Sequence, residues 1–430
     1  MTEKTDILRT AAPEILQVSD LKLLEPKALK LSNGIELFCF NDTTQQALRF
    51  DMVFDAGSAY QQKALVASTS TRMMREGSQK YSVGAINAKI DYHGAYLDLQ
   101  TTKDQCYLSL YCLDKSLASM LPIVDNILKE PLFKERNFKI FNQRQKQDFM
   151  VSSRKNKHLA NRIFTARLYG EGTTYGKVAS EKDFDLLETA DLKAFHESYL
   201  KPSGTKMVIS GPITDKMIQQ IEKHFGESWP ESGIAADFEH TNQFHPESIF
   251  QSKEHSLQSA IMMGRPVMLR SHPDYFGFLV LNTILGGYFG SRLMANIRED
   301  KGYTYGINSM VSPLRKATGF TIATEVGIAV TKQTLQEIKN ELNRLREELV
   351  SEQELTLVKN YLTGTYLRSL DGVYNQADKF RVTLESRSGM NYFVESLKAI
   401  NAISSMELNR LAQLYLNPDE MVTVVVGAEG

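Results

Sequence analysis

Residues 285–306 concentrate the side chains of this sequence that could do chemistry. The segment holds three closely spaced glycines and, further along, Arg298 and Tyr305. A guanidinium and a phenol are hydrogen-bond donors suited to carbonyl oxygens and to developing negative charge. Considered by themselves, however, the two residues are more simply interpreted as an ion-paired arginine at a helix end and a tyrosine within a strand.

The glycines Gly286, Gly287 and Gly290 could in principle cradle a phosphate. A dinucleotide site needs a strand before its glycines and an acidic residue at a set distance after them. Residues 276–285 look helical instead, and no acidic residue follows at that distance. The glycine pattern therefore does not predict a nucleotide site.

The histidines and cysteines do not show the spacing of a metal site. None of the eight histidines has another at i+4, and His240 and His245 lie five apart in a polar stretch without a nearby cysteine. We interpret these two as solvated loop residues. Cys39, Cys106 and Cys112 lie within apolar runs, which predicts reduced core residues and not a disulfide framework.

The composition is that of an ordinary globular protein large enough for two domains. Of the 430 residues, 42% are apolar and 23% charged, and 50 basic against 51 acidic residues give a net charge of −1. This balance provides no basic field for nucleic acid or anionic lipid. No run of about 18 apolar residues occurs, and the N-terminus lacks the apolar core of a signal peptide. We expect a cytoplasmic protein that binds neither nucleic acid nor a membrane.

An internal repeat divides the chain. Residues 187–211 match residues 403–427 without a gap, and each copy combines a helical pattern, the sequence Tyr-Leu-x-Pro and an apolar strand. The proline stops the helix because it cannot donate the next backbone hydrogen bond. The repeat predicts two duplicated domains, at residues 1–227 and 257–430. Residues 228–256 are poor in apolar side chains and are interpreted as the linker.

The hydrophobic patterns alternate between strand and helix periods. Predicted strands lie at 28–40 (with an Asn-Gly turn), 48–54, 96–110 and 258–269, and predicted helices include 61–75 and 331–350. Residues 351–354 fit a capping box that begins the next helix. This order favours an α+β fold of two duplicated domains, each a mostly antiparallel sheet covered by helices on one face.

The segment 285–306 resembles the C-terminal domain of the pitrilysin/insulinase-type zinc metallopeptidases, in the branch that includes mitochondrial processing peptidase. The similarity rests on Leu285-Gly286-Gly287, on Ser291-Arg292-Leu293, and on Arg298-Glu299 followed by Gly302 and Tyr305. It extends over nearly the whole chain, and that family also has two duplicated α+β domains. The resemblance implies that Arg298 and Tyr305 bind the substrate peptide and that the tyrosine steadies the tetrahedral oxyanion.

Active members of that family carry His-x-x-Glu-His on their first helix. Residues i and i+4 share a helical face, so both histidines can ligate one Zn²⁺ while the glutamate polarises the metal-bound water. A register fixed on Glu76-Gly77-Ser78 places Ser68, Thr71 and Arg72 at these three positions. A later glutamate completes the site in the family, but Asp148 is the only acidic residue between 136 and 170. We therefore predict no metal, no cofactor and no catalytic residue in this chain.

Two further stretches bear on peptide binding. Residues 92–96 resemble the family's turn into the sheet edge, where a substrate peptide adds as an extra strand, although His93 by itself is more simply a turn histidine. Seven basic residues between 136 and 157 are interpreted as a solvated helix face.

The sequence as a whole predicts the non-catalytic subunit of a heterodimeric zinc metallopeptidase. A zinc-bearing family member would be the partner and would supply the metal and the base. This chain would supply Arg298, Tyr305 and half of a chamber for unfolded peptides. The alternative is a structural or peptide-binding scaffold with no role in proteolysis. An independently active peptidase would need a metal site of a kind that we do not recognise in the sequence.

Overall fold

The computed structural model describes residues 21, 23–229, 237–384 and 388–429. Its strands are β1 Lys27–Lys30, β2 Glu36–Asn41, β3 Ala47–Phe54, β4 Tyr96–Thr101, β5 Cys106–Leu113, β6 Thr205–Gly211, β7 Ser248–Ser252, β8 Gln258–Val267, β9 Thr304–Pro313, β10 Thr318–Gly327 and β11 Val422–Gly427. The α-helices of the first half are α1 Val66–Met73, α2 Val83–Tyr92, α3 Leu117–Lys129, α4 Glu135–Ser153, α5 Asn156–Tyr169, α6 Glu181–Asp185, α7 Thr189–Tyr199 and α8 Asp215–Ile221. Those of the second half are α9 Tyr275–Asn282, α10 Thr331–Glu347, α11 Glu352–Ser369, α12 Val373–Thr383, α13 Asn391–Ala402 and α14 Ser405–Tyr415. In addition, π-helical turns lie at Glu222–Glu227, Thr283–Gly287 and Met294–Asp300.

Two mixed sheets form within these residues. The first has the strand order β1-β2-β6-β3-β5-β4, and the second has the order β7-β11-β8-β10-β9. Most neighbours are antiparallel, and the β2–β6 and β7–β11 pairs are parallel. Each sheet packs one face against helices of its own half. The predicted α+β class with mostly antiparallel sheets is therefore confirmed.

The sequence repeat is also a structural repeat. Helices α7 and α14 begin at residues 189 and 405 and end at residues 199 and 415, so both ends keep the offset of 216. The strands that follow, β6 and β11, both end on glycine, and each pairs with a parallel neighbour on one side and an antiparallel one on the other. The two copies therefore occupy equivalent places in the two sheets.

The second face of each sheet is covered in part by helices of the opposite half. Helix α5 packs across β8 and β11, and helix α12 packs across β6 and β2. Phe40 and Val208 of the first sheet share a core with Val373 and Phe380 of α12. The division at residues 228–256 stays a prediction, and the packing shows that the two halves bury apolar surface in each other.

The interface between the halves also contains a buried ion-pair network. Asp51 on β3 is fully buried, and its carboxylate lies 2.9 Å from Nε of Arg49 and 3.1 Å from Nη1 of Arg381 on α12. The second carboxylate of the network, Asp378, lies 2.7 Å from both arginines. Four charges thus join the first sheet to a helix of the second half.

Several predicted boundaries differ from the structure. The helix predicted from residue 61 begins at Val66, because Leu65 has a left-handed backbone (φ 71°) that no helix can include. The strand predicted at 96–110 is a hairpin of β4 and β5. The predicted linker contains β7, which pairs with β11, while its residues 230–236 and the N-terminal stretch 1–20 lie outside the described residues. No helix in the described ranges is long and apolar enough to cross a bilayer.

Candidate functional site

The glycine-rich turn, residues 286–290, packs so closely against β9 that the strand restricts which side chains fit in it. A side chain at Gly286 would place its Cβ 2.6 Å from the backbone nitrogen of Ser309, so only glycine allows the turn to pack there. Asn282, the last residue of α9, donates to the Ser309 carbonyl. These glycines therefore serve close packing against a strand, in agreement with the sequence argument against a nucleotide site.

The helix that carries Arg298 is anchored by a bidentate ion pair. Arg292 donates from Nε and Nη2 to the two carboxylate oxygens of Glu354, at 2.9 and 2.8 Å. The predicted capping box at Ser351 is therefore only half formed. The serine hydroxyl accepts from the Glu354 backbone, but the glutamate side chain turns to Arg292. This pair ties the start of the segment to α11.

Arg298 lies between two exposed aromatic rings. Its guanidinium carbon is 4.7 Å from the ring centroid of Phe289 and 5.2 Å from that of Tyr305. The rings are 61% and 92% exposed. No carboxylate in the described parts of the chain forms an ion pair with Arg298, so these residues do not support the ion-paired helix end, whereas Tyr305 does lie within strand β9. Stacking holds the guanidinium plane and leaves its N–H edge free for a planar acceptor.

A β-bulge on the edge strand β9 determines the direction of the Tyr305 side chain. Thr304 pairs with Val326 and Ile307 pairs with Thr324, so β9 has one residue more than β10 between these pairs. The Thr304 hydroxyl donates to the Glu325 carbonyl at 2.8 Å and fixes the bulge. Bulges redirect side chains, and here the phenol stands almost fully in solvent beside Arg298. The structure thus brings the two predicted substrate-binding residues together.

A cavity of about 610 Å³ adjoins Tyr305. Its walls are the first turns of α5, with Lys157, His158 and Asn161, and the second face of the β8–β10 sheet. This is the part of the sheet that α5 leaves open. A peptide laid along the β9 edge would contact the tyrosine, the sheet and the first turns of α5.

The three residues at the expected zinc-motif positions lie on α1. The Ser68 hydroxyl donates to the Leu65 carbonyl at 3.2 Å, and the Thr71 hydroxyl donates to the Ala67 carbonyl at 2.8 Å. Arg72 is exposed and donates from Nη1 to Oε1 of Gln145 on α4, at 3.0 Å. At these three positions the helix therefore has two hydroxyls, each donating to a backbone carbonyl three or four residues earlier, and one positively charged side chain.

Comparison with known proteins identifies the family. Residues 38–176 match the family model described as "Insulinase (Peptidase family M16)", and residues 187–362 match "Peptidase M16 inactive domain". Together these matches span well over half of the chain. The chain belongs to peptidase family M16.

Relatives within M16 align along most of this chain. "Uncharacterized zinc protease YmxG" of Bacillus subtilis (strain 168) is 22% identical over 410 residues, which are 93% of this chain and 98% of that protein. "Probable mitochondrial-processing peptidase subunit beta, mitochondrial" of Arabidopsis thaliana is 20% identical over 98% of this chain and 82% of that protein.

Solved structures share the fold. A "peptidase M16 inactive domain" from Pseudomonas fluorescens superposes with a TM-score of 0.86 at 22% identity, covering 94% of this chain and 98% of that one. The "periplasmic protease PqqL" from Escherichia coli superposes with a TM-score of 0.78 at 16% identity, covering 97% of this chain and 48% of that one. At these identities the likeness establishes the fold alone.

The α1 residues do not fit the zinc ion of active M16 peptidases. Zinc binds imidazole, thiolate and carboxylate groups, whereas Ser68 and Thr71 offer neutral hydroxyls and Arg72 a positive charge. Cys106 Sγ lies 3.0 Å from the Thr71 hydroxyl, but this single buried thiol donates to the Ala56 carbonyl at 2.6 Å, and burial raises its pKa to about 11. Among the described residues, no group of three or more His, Cys, Asp or Glu side chains could hold a metal ion.

Two histidine predictions have different outcomes. His240 is not a solvated loop residue, because its ring centroid lies 4.7 Å from that of Tyr175 and burial lowers its pKa. His245 is exposed, as expected. The three cysteines are free and buried, which confirms their assignment as reduced core residues.

Two further residues contribute to this M16 surface, and neither could be recognised from the sequence. Phe289 forms one side of the Arg298 stack, and a lone aromatic next to a glycine gives no signal of that contact. Arg75 donates from Nη1 to the Leu97 carbonyl of β4 at 2.9 Å and from Nη2 to Asn87. Although β4 is an edge strand as the 92–96 turn suggested, this guanidinium occupies one of its acceptors.

Proposed function

We propose that this chain is the non-catalytic subunit of a heterodimeric M16 zinc peptidase. It contributes Arg298, Tyr305 and half of the peptide chamber, and a zinc-bearing M16 partner contributes the metal and the general base. No cofactor binds to this chain in the proposal. The pair acts on unfolded peptides, and we place it in the cytoplasm.

The stack of Phe289, Arg298 and Tyr305 is the observation that carries this proposal. Two exposed rings hold an arginine that has no carboxylate partner among the described residues, beside a cavity and an open sheet edge. A scaffold has no use for exposed aromatic surface around an unpaired cation. A guanidinium edge and a phenol are instead suited to the carbonyl of a bound peptide and to the oxyanion that forms from it.

The α1 helix supports the division of labour between two chains. Its motif positions hold a serine, a threonine and an arginine, so the metal and the base must come from elsewhere if Arg298 and Tyr305 act in proteolysis. A relative from Arabidopsis thaliana is named as a subunit of a processing peptidase, which fits an assembly of more than one chain. Association costs translational and rotational entropy, which a large interface can offset.

The test mixes this chain with an M16 chain that carries His-x-x-Glu-His, encoded next to it if such a neighbour exists. Purified alone, this chain should hold well under one zinc per molecule by elemental analysis. The mixture should hydrolyse an unfolded peptide at least about tenfold faster than the partner alone, and a chelator should abolish this activity. Stoichiometric zinc held by this chain itself would overturn the assignment.

Two variants then locate the activity. Tyr305→Phe removes the phenol donor and should lower kcat by roughly 100-fold, the usual effect of losing one oxyanion donor. Arg298→Ala should chiefly raise KM because it removes a contact to the peptide. Tyr361→Phe on α11 is the matched control and should leave both constants unchanged. A mixture no more active than the partner alone would support the scaffold alternative.

A further inference from the structure

The cavity beside Tyr305 continues into a second, more open cavity of about 900 Å³. The two share Lys157, His158, Gln258 and Glu325 as lining residues. The second cavity runs over the start of α5 and the turn after β7. We call it the cation groove because of the basic side chains that line it: Arg154, Lys155, Lys157, His158, Lys253 and His255.

The cations of the groove outnumber its carboxylates. Within the described ranges, none of its lysines or arginines forms an ion pair; Lys253 donates to the amide oxygen of Asn156 at 2.9 Å and to a backbone carbonyl. On the preceding helix, by contrast, Lys146 lies 2.8 Å from Asp185. Glu254 and Glu325 also line the groove, so four fixed positive charges face two negative ones. The groove is net positive in a chain whose total charge is −1.

The helix dipole favours Arg154, the C-cap of α4, and Lys253 donates to the Arg154 carbonyl, but folding gives no such reason for the charges of Lys155 and Lys157. Lys155 is the N-cap of α5 and Lys157 lies in its first turn, which contains no acidic residue. Cations at a helix N-terminus oppose the helix dipole and destabilise the helix. All of Arg154, Lys155 and Lys157 are exposed, so their stems do not fill a core either. The seven basic residues between 136 and 157, predicted as a solvated helix face, therefore end in three residues that line a groove.

We propose that the cation groove binds an acidic segment of the peptide whose neighbouring residues lie at Arg298 and Tyr305. This inference rests on the proposed function and specifies its substrate class, namely peptides with Asp or Glu on one side of the site. A peptide is favoured over a nucleic acid because the groove adjoins the Tyr305 cavity, whose wall includes β9, an edge strand with which an extended backbone can pair. The groove sets specificity and takes no part in the chemistry.

The experiment measures binding of three fluorescent peptides to the full-length chain by anisotropy. The peptides share an apolar centre and differ only in three flanking residues on each side, which are Glu, Gln or Lys. In about 50 mM salt the Glu peptide should bind about tenfold more tightly than the Gln peptide, since three exposed ion pairs contribute roughly 0.2–1 kcal/mol each. Raising the salt should remove this preference because screening weakens exposed pairs.

Charge-reversal variants assign the preference to the groove. Arg154→Glu with Lys155→Glu, two residues that line the groove and not the Tyr305 cavity, should abolish the preference for the Glu peptide and favour the Lys peptide, while binding of the Gln peptide stays unchanged. Lys182→Glu with Lys216→Glu makes the same change of net charge at exposed sites outside the groove and should preserve the preference. Equal effects of the two double variants would overturn the inference, as would equal binding of the three peptides or absent binding of the Glu peptide.

Failure of this inference is distinct from failure of the proposed function. Arg298→Ala should weaken the binding of all three peptides alike, whereas the groove variant should change only the order of their affinities. If the mixture with the partner hydrolyses peptides through Tyr305 without charge preference, the proposed function stands and the groove inference is wrong. Tighter binding of a twelve-residue oligothymidylate than of the Glu peptide would assign the groove to nucleic acid and contradict the peptide proposal.

Discussion

The guanidinium of Arg298 stacks on the ring of Phe289, with 4.7 Å between the guanidinium carbon and the ring centroid. Phe289 is exposed and comes from the glycine-rich turn, whereas Arg298 comes from the helix that this turn leads into. The contact therefore couples the conformation of the turn to the direction of the arginine. Tyr305 closes the stack from the other side.

Phe289→Leu should weaken peptide binding by the complex. Leucine keeps an apolar side chain but removes the π face, and an exposed cation–π contact contributes about 0.5–1 kcal/mol. We expect KM to rise about two- to fivefold with kcat nearly unchanged, since a misdirected Arg298 loses ground-state and transition-state contacts alike. Phe289→Tyr should restore KM. Phe250→Leu on β7 is the matched control; an equal rise of KM there would count against the stack.

Arg381→Met should destabilise the whole chain. Arg381 neutralises Asp51 across the interface between the halves, and Asp51 is fully buried. Breaking a buried pair by removing one partner costs about 3–5 kcal/mol, and we expect a value near the lower end because Arg49 still contacts the carboxylate. Urea unfolding measures the change. Arg344→Met breaks an exposed pair with Glu348 and should cost no more than about 0.5 kcal/mol; similar values for both variants would contradict the argument.

His196 should make stability depend on pH below neutrality. Its buried ring contacts the Leu128 carbonyl through Nε2 at 2.6 Å, and burial lowers the pKa of the imidazole. The unfolded chain binds a proton at about pH 6.5 and the folded one only at lower pH. Stability is therefore fully present above about pH 6.5 and is lost on acidification, by at most about 1.4 kcal/mol per pH unit.

The variant His196→Gln tests this dependence, because glutamine keeps a donor near Nε2 and does not titrate. Urea unfolding of both proteins between pH 7.5 and 5 should show a steeper loss for the chain with histidine. Parallel curves would show that protonation of His196 does not destabilise the fold.

Lys157→Glu should stabilise the fold even though it damages the cation groove. The substitution replaces an unfavourable charge in the first turn of α5 by one that the helix dipole favours, worth about 0.3–1 kcal/mol. Thermal unfolding should show a higher midpoint. Lys216→Glu is not an equivalent control here, because it also lies in a helix first turn. Lys339→Glu, in the interior of α10, should change the midpoint little. A lower midpoint for Lys157→Glu would mean that the lysine has a structural role.

The sequence was sufficient to predict those elements whose pattern lies within a short stretch of the chain. Alternating apolar residues with an Asn-Gly turn predicted β1 and β2, and the matched Tyr-Leu-x-Pro units predicted the helix–strand pairs around β6 and β11. Local patterns of this kind reflect side-chain periodicity and chain-terminating prolines. The α+β class and the duplication follow from them.

The sequence was insufficient where a residue's role depends on a distant partner. Glu354 fits a capping box, yet Arg292, 62 positions away, takes its carboxylate. The bulge that presents Tyr305 exists only through pairing with β10, and β7 forms only because β11 lies beside it. Non-local contacts override local propensity in each case. Phe289 and Arg75 were also missed because their roles depend on contacts with residues of other elements.

Each half covers part of the other half's sheet with one of its helices, and this has a consequence for a single copy of the repeated unit. A single copy of the repeated unit would leave one sheet face in water, and only a second copy placed opposite could shelter it. A lone unit of this kind would therefore need to dimerise, and its dimer would depend on concentration. Joining both copies in one polypeptide makes that encounter intramolecular, so both sheets stay covered at any concentration of the chain.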